Sequence, residues 1–228
     1  MGSVLLSRHR LRVNNISYFR THADDVRLGS MGRKRWSLVR SNYLDVKRTI
    51  SLERLPSGSI RVGELDISDQ QSSNLSLGGS IMAVLDGVPV AISGNAAAEM
   101  FRKSELRLLK LSVDNNVMRD VINRSPRDSQ ELLSWGIAGR VAHQVYVVME
   151  AKLTSIISRA GAVSASEGAG GTFEITVGAS NQSRTTVKIS PETGFAYLLA
   201  KPTWTRSGWL RRRQPPIRTL RTDQWGIG

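Results

Sequence analysis

Val145-Tyr-Val-Val-Met-Glu-Ala-Lys-Leu153 opens, and Phe195-Ala-Tyr-Leu-Leu-Ala-Lys201 closes, the stretch whose reading decides the fold. The first run is rich in β-branched and aromatic residues and predicts a buried strand; the second predicts an apolar strand returning. Between them, Thr154–Gly161 continues into Ser/Gly/Ala-rich sequence that ends at Gly170-Gly171. Thr172-Phe-Glu-Ile-Thr-Val-Gly-Ala-Ser180 follows, with Phe173, Ile175, Val177 and Ala179 alternating with mostly polar residues. A period of two makes a strand with one apolar face. Thr186-Val-Lys-Ile-Ser-Pro-Glu-Thr-Gly194 then predicts a strand and a turn. Only Arg159, Glu167, Glu174 and Arg184 carry charge between Leu153 and Val187.

The same design occurs earlier in the chain. Ser59–Ile67 alternates like a strand after the Pro56-Ser-Gly58 turn, and Glu105–Val113 returns as another. From Gln71 to Ala98 only Asp86 is charged, too little for an ordinary solvated loop and too polar for a core helix. The alternation of the returning strand slips at Leu108-Leu109, which predicts a bulge. Between the two units, Asp114 predicts the cap of one helix, and Ser125-Pro126 has the cap-then-proline form of a second start. The expected fold is α+β: a twisted antiparallel sheet with flanking helices and two long strand–excursion–strand units. Strands with one apolar face and few charges can become membrane β-hairpins, because charge facing lipid is penalised. Two flexible loops on an α+β domain would give the same pattern.

Val145–Leu153 and Thr186–Gly194, with the final Phe195-Ala-Tyr-Leu-Leu199, resemble the second half of a gasdermin pore-forming domain. That family has a strand of the type "YVV(M/T)E", a long hairpin, a "VTIP-x-G" element and a last apolar strand. Here one extra residue precedes Gly194, and Ser190 stands before Pro191. The resemblance implies a protein that binds acidic phospholipid membrane, forms a homo-oligomer, inserts β-hairpins and permeabilises cells to cause cell death. It would be cytoplasmic when soluble and at the cell membrane when active, with a protease as activator. Arg33-Lys-Arg-Trp36 matches the family's "RKxW" loop, and the N-terminal cations Arg8, Arg10 and Arg12 match its basic membrane-facing segment. Lipid binding is therefore expected at Arg8, Arg10, Arg12, Arg33, Lys34, Arg35 and Trp36. Membrane insertion is expected at Ile81, Val84, Leu85, Ile156, Phe173, Ile175 and Val177. Residues 1–204 read as the pore-forming domain and 205–228 as a basic Pro/Arg-rich tail, in place of the large inhibitory domain of longer relatives.

The 228 residues carry a formal charge of +13, which calls for a polyanionic partner, either nucleic acid or an acidic membrane surface. Residues 1–20 hold four arginines and no acid; they suit an interfacial helix, or equally an arm with solvated arginines. With no cysteine, disulfides, thiolate metal sites and a cysteine nucleophile are excluded. No apolar run reaches the ~20 residues of a membrane-spanning helix, and no clean signal peptide is present. His9, His22 and His143 show no metal-ligand spacing, and no phosphate-cradling or nucleophile-elbow motif occurs. A non-enzyme without metal or cofactor is expected. The alternative reading is a basic nucleic-acid-binding protein of viral movement type with a β-rich core, or an interaction domain with long loops. The charge-poor excursions disfavour nucleic acid, which needs cations and aromatics on the central strands.

Overall fold

Asn14 adopts φ 55° and, with Asn15, closes a two-residue turn between Val13 and Ile16. The computed structural model describes residues 4–36, 42–68, 77, 79–167, 172–177, 185–205 and 215–225. Its first strands are β1 (Val4–Leu6), β2 (Arg10–Val13) and β3 (Ile16–Phe19), an antiparallel meander. The basic N-terminus is therefore neither an interfacial helix nor a free arm. Val4, Leu11 and Tyr18 are buried, and this alternation of inward apolar residues with arginines is the period of a strand. A hairpin of β4 (Ser30–Arg35) and β5 (Tyr43–Thr49) follows.

Then come β6 (Ile60–Leu65), β7 (Ser80–Leu85), β8 (Val88–Ser93), α1 (Gly94–Arg102), β9 (Leu106–Val113), α2 (Asn115–Asn123) and α3 (Pro126–Ser134). The second half comprises β10 (Gly139–Glu150), α4 (Ala151–Arg159), β11 (Ala162–Glu167), β12 (Phe173–Val177), β13 (Thr185–Ile189), β14 (Gly194–Trp204) and β15 (Ile217–Asp223). The result is an α+β fold with a large, mostly antiparallel sheet and four α-helices. Its spine runs β3-β14-β10-β9-β6-β11-β12-β13, with β4 and β7 joined to β10 and β15 to β14. Both predicted caps form: Asp114 accepts from the Asn116 N–H at 2.8 Å and Ser125 from the Asp128 N–H at 3.3 Å.

The sheet is covered on both faces, so β10 buries apolar residues on both sides from Val145 to Met149. On β10, Val145, Val147 and Met149 enter one core with Met31, Leu111, Met118 and Tyr197, while Tyr146 and Val148 enter a second with Tyr18, Phe101 and Phe195. The predicted bulge at Leu108-Leu109 does not exist. Leu108 faces Leu65 and Leu109 faces Glu64 in unbroken register. The pattern slips because Leu106 and Leu108 belong to the second core, whereas Leu109, Leu111 and Val113 belong to the first.

Two further expectations fail. The strand from Val145 ends at Glu150, and Ala151–Arg159 is α4. Leu153 and Ile157 lie one helical turn apart and are buried with Thr154, a helical spacing hidden by the β-branched run Thr154-Ser-Ile-Ile157. Residues 205–228 are not simply a tail. Ile217–Asp223 pairs with β14 from Leu199 to Trp204, and Ile217 and Leu220 are buried in the first core. Its outer edge is also held: the Asn123 side-chain amide donates to the Ile217 carbonyl at 3.0 Å and accepts from the Ile217 N–H at 2.8 Å.

Candidate functional site

The strands on either side of each excursion are neighbours. β6 and β9 pair from Ile60↔Val113 to Leu65↔Leu108, and β10 and β14 pair from Val141↔Ala200 to Val147↔Gly194. These two hairpins lie side by side, because Leu106 stands opposite Glu150 and Leu108 opposite Val148. Residues 66–105 and 148–193 consequently leave from the same end of a four-stranded antiparallel set. A polar knot ties that end. Arg107 meets Glu64 at 3.3 Å and Asp66 at 3.4 Å, Ser155 donates to Glu64 at 3.0 Å, and the Asp86 N–H donates to Glu150 at 3.1 Å.

Each excursion folds back on this set. Asp86 (φ 50°) and Gly87 (φ 78°) form the turn between β7 and β8, where two successive positive φ values select an Asp-Gly pair. β7 adds to β10 in parallel over Val148↔Ala83 and Met149↔Val84, in the place that β14 vacates beyond Gly194. In the second excursion, β11, β12 and β13 form a meander attached to β6 by Ala162↔Arg61 and Val163↔Ile60. Val163, Ile175, Val187 and Ile189 enter the first core beside Leu52 and Leu55. Gly194 has no room for a side chain: a Cβ there would lie 2.0 Å from the Ala23 carbonyl oxygen.

The residues expected to insert into a membrane are thus mostly packed. Val84 and Ile175 are fully buried, Ile81 and Leu85 half-buried, and Ile156 on α4 exposed. The side chains of Phe173 and Val177 lie outside the described residues. In the described part of this strand, Ile175 sits between Ala165 and Val187 in register and is anchored in the core.

The residues expected to bind lipid divide similarly. Arg8 is exposed, Arg10 lies 5.0 Å from the Trp225 ring, and Arg12 donates to the Asn14 carbonyl at 3.2 Å. Arg33 is exposed, Arg35 pairs with Asp45 at 2.8 Å, and Trp36 is 63 % exposed. Lys34 is a correction. It is buried, and its ammonium lies 2.9 Å from Asp223, which also accepts from Arg140. Burial lowers the Lys34 pKa, opposed by the hydrogen bond and charge of Asp223. Alternation along β4 turns Lys34 inward while Arg33 and Arg35 face out.

Sequence reasoning missed Asp223, whose partners are far away in the chain, and Tyr197. The Tyr197 hydroxyl donates to the Thr21 carbonyl at 3.0 Å and accepts from the Leu44 N–H at 2.9 Å, and burial raises its pKa. Among the described residues, His22, Asp24 and Asp25 bring their ligand atoms within 4.8 Å of one another, all three exposed. His143 is remote from them and buried, with its pKa lowered to about 4 by desolvation. No helix among the described residues is long and apolar enough to cross a membrane. No family model, curated protein or solved structure matches the chain.

Proposed function

We propose that the protein is pore-forming: it binds acidic phospholipid, forms a homo-oligomer and converts its two excursions into membrane β-hairpins. One observation carries this reading. The strands flanking each excursion are already antiparallel partners, and the two pairs adjoin with their excursions at one end. Straightening 66–105 and 148–193 lengthens two existing hairpins without dismantling their ladders. Each excursion exceeds the two strands of ~9–11 residues that a membrane hairpin requires. Their short strands β7, β8, β11 and β12 contain no Lys or Arg, and β13 has one, the exposed Lys188, a balance that suits lipid and disfavours nucleic acid. Repetition of the four-stranded set around a ring closes a barrel and leaves no edge in the bilayer.

The conversion has definable costs. β7 leaves β10, β11 leaves β6, and Val84, Val163 and Ile175 exchange a protein core for lipid. That exchange is nearly neutral for apolar side chains, because lipid tails are as apolar as the core they leave. In this reading the soluble form resides in the cytoplasm and the active form in the cell membrane, where permeabilisation causes cell death.

A reversible clamp tests the reading. Arg61 and Ala162 are exposed, directly opposed residues of β6 and β11, and the natural chain has no cysteine. Opposed antiparallel residues lie within the Cα separation that a disulfide spans. The variant with Arg61→Cys and Ala162→Cys is expected to be silent on acidic vesicles when oxidised and to release dye after reduction. Equal release in both states would mean that the second excursion never leaves β6, and the proposal would fail.

A further inference from the structure

The outer ladder of the sheet, between β14 and β15, carries a cluster of charge that the fold itself does not explain. Lys201 stands directly opposite Arg221 in the antiparallel register, so the two side chains rise from the same face. Both are exposed, and neither has a carboxylate partner among the described residues. Like charges directly opposed on neighbouring strands repel and weaken a ladder. The next pair on that face toward the end of β14 is Thr203 and Thr219, whose hydroxyls are hydrogen-bonded to each other. The Thr203 hydroxyl also donates to the Thr219 carbonyl at 3.3 Å, so Thr203 acts as the donor of the pair and the Thr219 hydroxyl proton is left to turn outward. The pair on the other side is Leu199 and Asp223, and Asp223 is already engaged by the buried Lys34 and Arg140.

Two buried cations therefore already share the Asp223 carboxylate, two positions along β15 from Arg221, and leave it no capacity for Lys201 and Arg221. Lys201 and Arg140 both lie near enough to Lys34 to oppose its charge, and the exposed Trp36 ring sits 5.5 Å from the Lys34 ammonium. The opposite face is different: Thr222 meets Asn115 of α2 there, and Leu220 is buried. The cations and hydroxyls are thus held together on the face turned away from α2.

We propose that this face is a phosphate-binding site, with Lys201 and Arg221 as its cations and Thr219 as its hydroxyl donor. An Arg fork and an ammonium on adjacent strands present several N–H donors toward one point, and a spare hydroxyl proton complements them. A tetrahedral anion of charge near −2 matches this set and removes the repulsion within it. The phosphate is either a soluble phosphate or the phosphomonoester headgroup of a lipid. The site does not depend on insertion of the excursions.

Melting at fixed ionic strength tests it, with inorganic phosphate replacing chloride. The melting temperature of the wild type should rise with phosphate along a binding curve, as for a ligand of the native state. In the double variant Lys201→Gln, Arg221→Gln the rise should vanish, while melting in chloride stays equal or higher because the repulsion has gone. Arg221→Lys keeps the charge but loses the fork and should weaken binding roughly tenfold. Thr219→Val provides a shape-conserving second variant and should also weaken it. Sedimentation with phosphatidic acid vesicles in low salt separates the sources. Loss of phosphate-dependent melting alone assigns a soluble phosphate, and a matching loss of vesicle binding assigns the headgroup. If wild type and double variant respond alike to phosphate and to vesicles, the proposal is overturned. It is equally overturned if they differ only in binding a single-stranded oligonucleotide.

Discussion

Lys34 Nζ lies 2.9 Å from a carboxylate oxygen of Asp223, joining β4 to the last strand across 189 positions of chain, with both side chains almost excluded from water. Asp223 also receives Arg140 from β10, so one carboxylate compensates two buried cations. Removing it leaves both uncompensated, which costs ~3–5 kcal/mol for a buried pair. Asp223→Asn should lower the urea midpoint accordingly. Lys34→Met should cost less, because Asp223 keeps Arg140. An unchanged midpoint in Asp223→Asn would mean that water compensates the pair. Truncation at Thr205 should likewise unfold the protein, since it removes β15 and Asp223 together.

The residues that were legible in the sequence are those whose signal is local. Asp114 and Ser125-Pro126 declare helix starts because a cap acts within three residues. Alternation gives β6 and β12 for the same reason. What was not legible depends on distant partners. On β15 the buried Ile217, Leu220 and Asp223 are interspersed with exposed Arg218 and Arg221, so the strand reads as a basic tail until β14 and α2 are in place. Lys34 looks like its neighbours Arg33 and Arg35, and only the alternation of β4 and the position of Asp223 set it apart. For the candidate site, the low charge of the excursions was visible. That the flanking strands adjoin at one end required the register of Leu106 with Glu150.

His143 predicts how stability depends on acid. It is 3 % exposed, its Nε2 has no hydrogen-bond partner among the described residues, and desolvation lowers its pKa from 6.5 to about 4. Between these values the unfolded chain binds a proton that the native state refuses, so stability falls as pH drops through that window. The total loss is on the order of 3 kcal/mol by pH 4. Unfolding measured from pH 7 to pH 4 should show this slope, and His143→Leu should flatten it. Parallel slopes in the two proteins would place the acid sensitivity elsewhere.

Ile175 links the soluble fold to the proposed conversion. It is completely buried between β11 and β13, so truncation to Ala should cost ~2–4 kcal/mol through lost burial and a cavity. The compact excursion is thereby weakened, and dye release from acidic vesicles should start sooner. Thr176 is half-buried on the opposite face of β12, and Thr176→Ala should change neither measurement appreciably. A normal urea midpoint in Ile175→Ala would contradict its place in the core. A lowered midpoint with slower release would count against insertion of this strand.

Arg8, Arg10 and Arg12 should matter for membrane attraction far more than for folding. Arg8 is exposed, Arg12 hydrogen-bonds to Asn14 and Asn15 of its own turn, and Arg10 rests on Trp225 at 5.0 Å. Surface contacts of this kind contribute at most about 1 kcal/mol each, so replacing all three with Gln should move the melting temperature by only a few degrees. Near an anionic bilayer each Lys or Arg is worth about 1 kcal/mol, and three together correspond to roughly a hundredfold in binding. Binding to vesicles rich in anionic lipid should therefore fall by about that factor, and dye release with it. Zwitterionic vesicles should release little dye with either protein, and added salt should narrow the difference between wild type and variant as the charges are screened. A variant that melts much lower yet binds anionic vesicles like wild type would make the β1–β3 meander a purely structural element. Equal release from anionic and zwitterionic vesicles would remove electrostatics from the proposed mechanism.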